Sequence, residues 1–89
     1  MHVKSVEKER NKMEEKIIEM ISQYAGVDKE DITLDSDIIQ DLELSSFDVT
    51  ELACELEDEF SLEVPDRKIS SFQTVRDVVE YIEGEVENQ

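Results

Sequence analysis

The sequence predicts an all-α domain of three main helices and one short one, closed around a single core. Three observations lead there. The chain has 89 residues with only two glycines and one proline, so the two strongest breakers of regular structure are scarce. Apolar residues recur at three-four spacing in three separate segments, the period of an amphipathic helix. Each segment also has its own punctuation: Gly26 after the first, Ser45 before the second and Thr74 before the third. A chain of this length holds one small core, and is too short for a substrate cavity plus catalytic machinery.

The first helix is expected over residues 6–24, with 13–24 the firmest part. Val3, Val6, Met13, Ile17, Met20 and Tyr24 form one apolar seam, broken by Arg10. Residues 1–12 read as a charged extension, and from it into the helix Lys4, Lys8, Lys12 and Lys16 follow each other at i,i+4 beside Glu7, Glu9 and Glu15. Gly26 is the natural C-cap. The long connection over residues 27–44 needs a reason to be ordered. Val27, Ile32, Leu34, Ile38 and Leu42 supply it as anchors that tuck under the helices, with Ser36 placed to cap a short turn at 37–40.

Ser45 with Asp48 three residues later makes a capping-box pair that opens the second helix. Val49, Leu52, Ala53, Leu56 and Phe60 share one face and belong to the core, while Phe47, Thr50 and Cys54 fall on another. Pro65 keeps Val64 out of helical geometry, and Asp66 is placed to cap a short third helix at 67–69. Thr74 with Asp77 starts the last helix, whose stripe is Val75, Val78, Val79, Ile82 and Val86, with Gly84 and a polar tail ending it. The domain proper is thus expected over 13–86, with 87–89 as tail.

The charge balance excludes several functions. With 25 acidic and 9 basic residues the net charge is −16, which argues against nucleic acid and favours partners with basic patches. The only histidine, His2, stands near the N-terminus, so neither a Ser-His-Asp triad nor a histidine metal site is assembled. Cys54 is the only cysteine, so there is no internal disulfide and no cysteine-rich zinc site. Asp31, Asp35 and Asp37 invite a calcium loop, but Ile39, Gln40 and Ser46 occupy the positions that need an oxygen ligand, Gly and Glu. No apolar run suggests a signal peptide or a membrane span, so a soluble cytoplasmic protein without membrane association is expected. The residues point away from an enzyme, and neither catalytic nor metal residues are assigned.

What remains is the stretch 40–60, which carries eight carboxylates and no basic residue. Ser46 stands at the mouth of its helix, where unpaired backbone N–H groups and the positive end of the dipole suit an attached phosphate. Taken alone, a Ser-Ser at a helix start is a capping feature.

The run D-L-E-L-S-S-F-D-V-T-E-L, with E-L-E-D-E-F and V-P-D behind it, resembles the acyl carrier proteins. The resemblance extends from about Met13, through G-V-D-K-E-D-I-T, to Y-I-E-G near the C-terminus. It implies a four-helix bundle with a 4′-phosphopantetheine arm on the motif serine, here Ser46. The arm's thiol would carry acyl groups as thioesters, after a phosphopantetheinyl transferase installs it from coenzyme A with magnesium. It also implies a monomer that serves acyl-chain synthesis and transfer enzymes with basic docking patches. Asp41, Asp48, Glu51 and Glu57 are the docking charges in this reading, with Phe47 and Cys54 as apolar contacts.

Three positions depart from the family pattern: Glu43 stands where it has Gly, Ser45 where it has Asp, and Phe47 where it has Leu. They leave the cargo open between fatty-acid or related acyl chains and a polyketide, aminoacyl or D-alanyl group. A reading of another class is an acidic adaptor that binds a basic partner and carries no arm. Ser45 is the rival acceptor to Ser46, and Ser71, in a second Ser-Ser-Phe, lacks the Asp-Leu lead.

Overall fold

The structure, a computed structural model, describes residues 12–87. Helices α1 (Lys12–Ala25), α2 (Ser46–Phe60), α3 (Asp66–Ser71) and α4 (Val75–Glu87) follow in order, with a 3₁₀ turn at Lys29–Asp31. Helix α1 packs on α2 and α4, and α3 packs on α2. The core between them contains Ile17, Ile21, Leu52, Leu56, Val75 and Ile82, each 2% exposed or less. Each such side chain contributes about 1.5–3 kcal/mol relative to an exposed one.

Helix α1 buries Ile17, Met20 and Ile21, and Gly26 follows it in the left-handed conformation (φ 69°), donating its N–H to the Ser22 carbonyl at 2.9 Å. The expected start at residue 6, with Val3 and Val6, lies outside the described residues. In the connection, Ile32, Ile38 and Leu42 are buried as expected, and Leu44 joins them. The 3₁₀ turn was not expected. It closes through Asp31 N–H to the Asp28 carbonyl, a purely backbone contact that leaves little mark on residue types.

Ser36 does not cap the turn that follows it. Its buried hydroxyl oxygen accepts the Thr33 N–H at 2.9 Å, while Asp37 Oδ1 takes the N–H groups of Ile39 and Gln40. The Asp37 carboxylate, one atom longer than a serine hydroxyl, reaches two successive donors further along the chain, as in an Asx turn. The connection is then strapped to the start of α4: Ile38 N–H donates to Gln73, Val75 N–H to Ser36 and Arg76 N–H to Leu34. These bonds tie residues 34–38 to the start of α4, and Leu44 N–H, just before the mouth of α2, donates in turn to the Ile38 carbonyl.

Two further expectations need correction. Helix α3 begins with Asp66 itself after Pro65 as N-cap, and runs on to Ser71 rather than ending at Ile69. Proline suits that boundary because its extended backbone (ψ 150°) offers its carbonyl to Lys68 and Ile69, and it has no N–H to satisfy. Gly84 does not end α4, which continues to Glu87. Tertiary packing of the Val78, Val79 and Ile82 face overrides the weak helix propensity of one glycine. The expected start of α4 is present: Asp77 Oδ2 accepts the N–H groups of Gln73 and Thr74, and Thr74 Oγ1 accepts that of Asp77.

Candidate functional site

The site is built at the first turn of α2. Ser45 Oγ accepts the Asp48 N–H and Asp48 Oδ2 accepts the Ser45 N–H, both at 3.1 Å, so the capping box is complete. That reciprocal pair fixes where the helix starts and makes Ser46 its first residue. Ser46 and Phe47 are both exposed, and Phe47 is 69% accessible despite its size. The capping box engages the N–H groups of Ser45 and Asp48. Those of Ser46 and Phe47 belong to the first turn, where intrahelical partners are lacking and the dipole is positive. An exposed hydroxyl at such a position fits a phosphodiester.

The approach to Ser46 is set by Glu43, which takes φ 57°. Left-handed geometry there turns the buried Leu42 and Leu44 inward on either side of an exposed Glu43. The backbone therefore keeps the conformation for which glycine is suited, and Glu43 bears the strain.

Beside Ser46 lies a cavity of about 260 Å³, lined by Ile39, Ser46, Val49, Thr50, Ile69, Ser70 and Phe72. Val49 and Phe72 are buried at its floor, whereas Ile39, Ser46, Thr50 and Ser70 are exposed around its mouth. An apolar floor next to an exposed serine suits a flexible group anchored there. Ile39, 48% exposed, Ile69, Ser70 and Phe72 were not among the residues singled out by sequence as a site. Their only signals are an Ile-Ile pair of which one member goes inward, and the second Ser-Ser-Phe.

The proposed docking residues are only partly gathered. Phe47, Glu51 and Cys54 are exposed along α2. Asp41 is also exposed, but Oδ2 accepts the Asp37 N–H at 2.8 Å and braces the turn before the site. Asp48 and Glu57 were expected to be exposed, and both are half-buried. Asp48 belongs to the capping box, and Glu57 Oε2 accepts the Val64 N–H at 2.7 Å, tying the end of α2 to the chain before α3. Glu55 meets Tyr24 of α1, whose phenol pKa is raised by partial burial and by that hydrogen bond.

Among the described residues no helix is long and apolar enough to cross a membrane. Residues 15–82 match the family model described as the phosphopantetheine attachment site. An acyl carrier protein of Syntrophobacter fumaroxidans is 41% identical over 70 residues, covering 79% of this chain and 86% of the relative. One from Rickettsia canadensis is 40% identical over 72 residues, covering 81% and 84%. A solved structure from Mycobacterium tuberculosis, itself proposed to be an acyl carrier protein, superposes with a TM-score of 0.76 at 32% identity, covering 81% of this chain and 96% of that one. Such proteins are carriers rather than enzymes. With the family match spanning most of its helices, the chain belongs to the phosphopantetheine-bearing acyl carrier proteins.

Proposed function

We propose that Ser46 is the residue that holds the 4′-phosphopantetheine arm, and that the chain delivers acyl groups to enzymes of fatty-acid or related acyl-chain synthesis. The observation that carries this is the exposed Ser46 hydroxyl, set at the first residue of α2 by a closed capping box and beside an apolar-floored cavity. The arm supplies a terminal thiol on which acyl groups ride as thioesters. The chain's own residues do the rest. The α2 N-terminus steadies the phosphate, Val49, Ile69 and Phe72 offer an apolar resting place, and Phe47 presents a contact to partners.

In this reading residues 13–86 form the carrier domain, with 1–12 as a charged extension, and the protein acts as a cytoplasmic monomer. Partner enzymes meet it through Phe47 and Cys54, and through Asp41 and Glu51, whose carboxylates attract basic patches. Asp48 and Glu57 act by holding α2 in place.

Incubation with coenzyme A, magnesium and a broad-specificity phosphopantetheinyl transferase, read by intact mass, tests the assignment. The expected result is a gain of one arm, lost in Ser46→Ala and kept in Ser45→Ala. No gain, or a gain that survives Ser46→Ala, overturns it, the former in favour of an acidic adaptor without an arm.

A further inference from the structure

Ser46 and Cys54 stand on one continuous helix, α2, and both are exposed. Helix geometry then fixes their separation. At about 1.5 Å of rise and about 100° of turn per residue, Cys54 lies about 12 Å along the axis and about 80° around from Ser46. With side chains about 5–6 Å from the axis, the two are roughly 14 Å apart. Cys54 is the chain's only cysteine, so a disulfide partner within one molecule must come from what Ser46 carries.

We propose that Cys54 is the disulfide partner of the arm's thiol, so that oxidation closes a ring along α2 and takes the carrier out of service until a thiol reopens it. The inference rests on the carrier reading of Ser46. Reach supports it. From Ser46 Oγ to the terminal sulfur a 4′-phosphopantetheine arm has about fourteen bonds, and an extended chain covers about 3.3–3.6 Å per three bonds, or roughly 16 Å in all. A flexible chain of that length has a root-mean-square span of roughly 12 Å. Span and separation are close, the condition under which a tether gives its highest effective concentration, on the order of millimolar. Charge supports it too. Glu51, Glu55 and Asp58 flank Cys54 at i−3, i+1 and i+4, and all are exposed. They repel anionic thiols such as glutathione, whereas the thiol end of the arm carries no charge. Closure forms one S–S bond and breaks two S–H bonds. A small disulfide accepts the two electrons and two protons and leaves as two thiols.

The test treats the full chain carrying its arm, at about 10 µM, with about 50 µM bis(2-hydroxyethyl) disulfide, an uncharged oxidant, so that a millimolar effective concentration exceeds that of the protein about a hundredfold. Intact mass is read at equilibrium, before and after alkylation with iodoacetamide. The expected product is therefore the internally closed monomer. It is lighter than the open form by two hydrogens, takes up no alkyl group, and regains both thiols on reduction. Cys54→Ser, a change at an exposed position, should instead give an arm-linked dimer or a mixed disulfide, with circular dichroism unchanged.

If the parent chain gives arm-linked dimers, separate mixed disulfides or two alkylatable thiols, the inference is overturned and the carrier assignment stands. A closed product that survives Cys54→Ser also overturns it, because Cys54 would not be in the bond. No arm gained at Ser46 overturns both readings together.

Discussion

Glu43 carries a backbone conformation that its side chain disfavours. At φ 57° its Cβ crowds the following carbonyl, at a cost of about 1–2 kcal/mol. The sequence already marked this position, because the family pattern has Gly there. The structure shows which of two outcomes holds: the loop keeps the left-handed turn and does not rearrange to suit glutamate. Glu43→Gly should therefore raise stability by about 1 kcal/mol, after the larger unfolded-state entropy of glycine is set against the relieved strain. Urea denaturation of the two proteins checks it. A midpoint that is unchanged or lower would mean that the exposed Glu43 side chain contributes more than the strain removes.

Helix α4 shows how packing and local preference divide the control of an element. Gly84 lies within it and a Cβ added there meets nothing within 4 Å, so Gly84→Ala should stabilise the protein by about 0.5–1 kcal/mol, seen as a higher Tm. One position earlier, Glu83 works the other way. Its partial burial, then the charges of Glu14, Glu87 and Glu80, raise its pKa above the ordinary glutamate value. The folded state therefore binds this proton more tightly than the unfolded state, and ionised Glu83 weighs against folding at neutral pH. Stability from this residue rises as pH falls through the raised pKa toward the ordinary value. Glu83→Gln should accordingly raise Tm at pH 7, with the difference shrinking to nothing below the unfolded glutamate pKa. A constant difference across that range would point to packing instead. Helices α1, α2 and α4 were readable in sequence because caps and apolar periods are local signals. Ser45 with Asp48 and Thr74 with Asp77 each announce a helix start within four residues. The extent of α3 and the cavity were not readable, because they depend on Ile69 and Ser70 meeting Val49 and Thr50 across two helices. The same holds for Glu57, whose bond to Val64 depends on how the chain returns after α2.

Across the whole molecule, 25 acids face 9 bases, and the excess repels itself most in the compact state. Lys16–Glu59, at 3.8 Å, and Arg76–Asp35 are exposed ion pairs that offset only a little of it. Among the described residues no group of three or more His, Cys, Asp or Glu side chains is arranged to hold a metal ion, and added salt relieves such repulsion by diffuse screening. Raising NaCl from about 0.01 to 1 M shortens the screening length from about 30 to 3 Å. Tm of the free chain should rise by several degrees over that range, and magnesium or calcium should produce the same rise at lower concentration. A melt insensitive to all three salts would remove self-repulsion as a determinant of stability. The proposed docking surface makes the opposite demand, since its attraction for basic partners weakens as the screening length shortens. Salt should therefore stabilise the free carrier while slowing its association with a partner enzyme. Stopped-flow association rates measured beside Tm in the same buffers would show the two trends diverging if one charge excess underlies both. Parallel trends would place the docking contacts on Phe47 and its apolar neighbours rather than on Asp41 and Glu51.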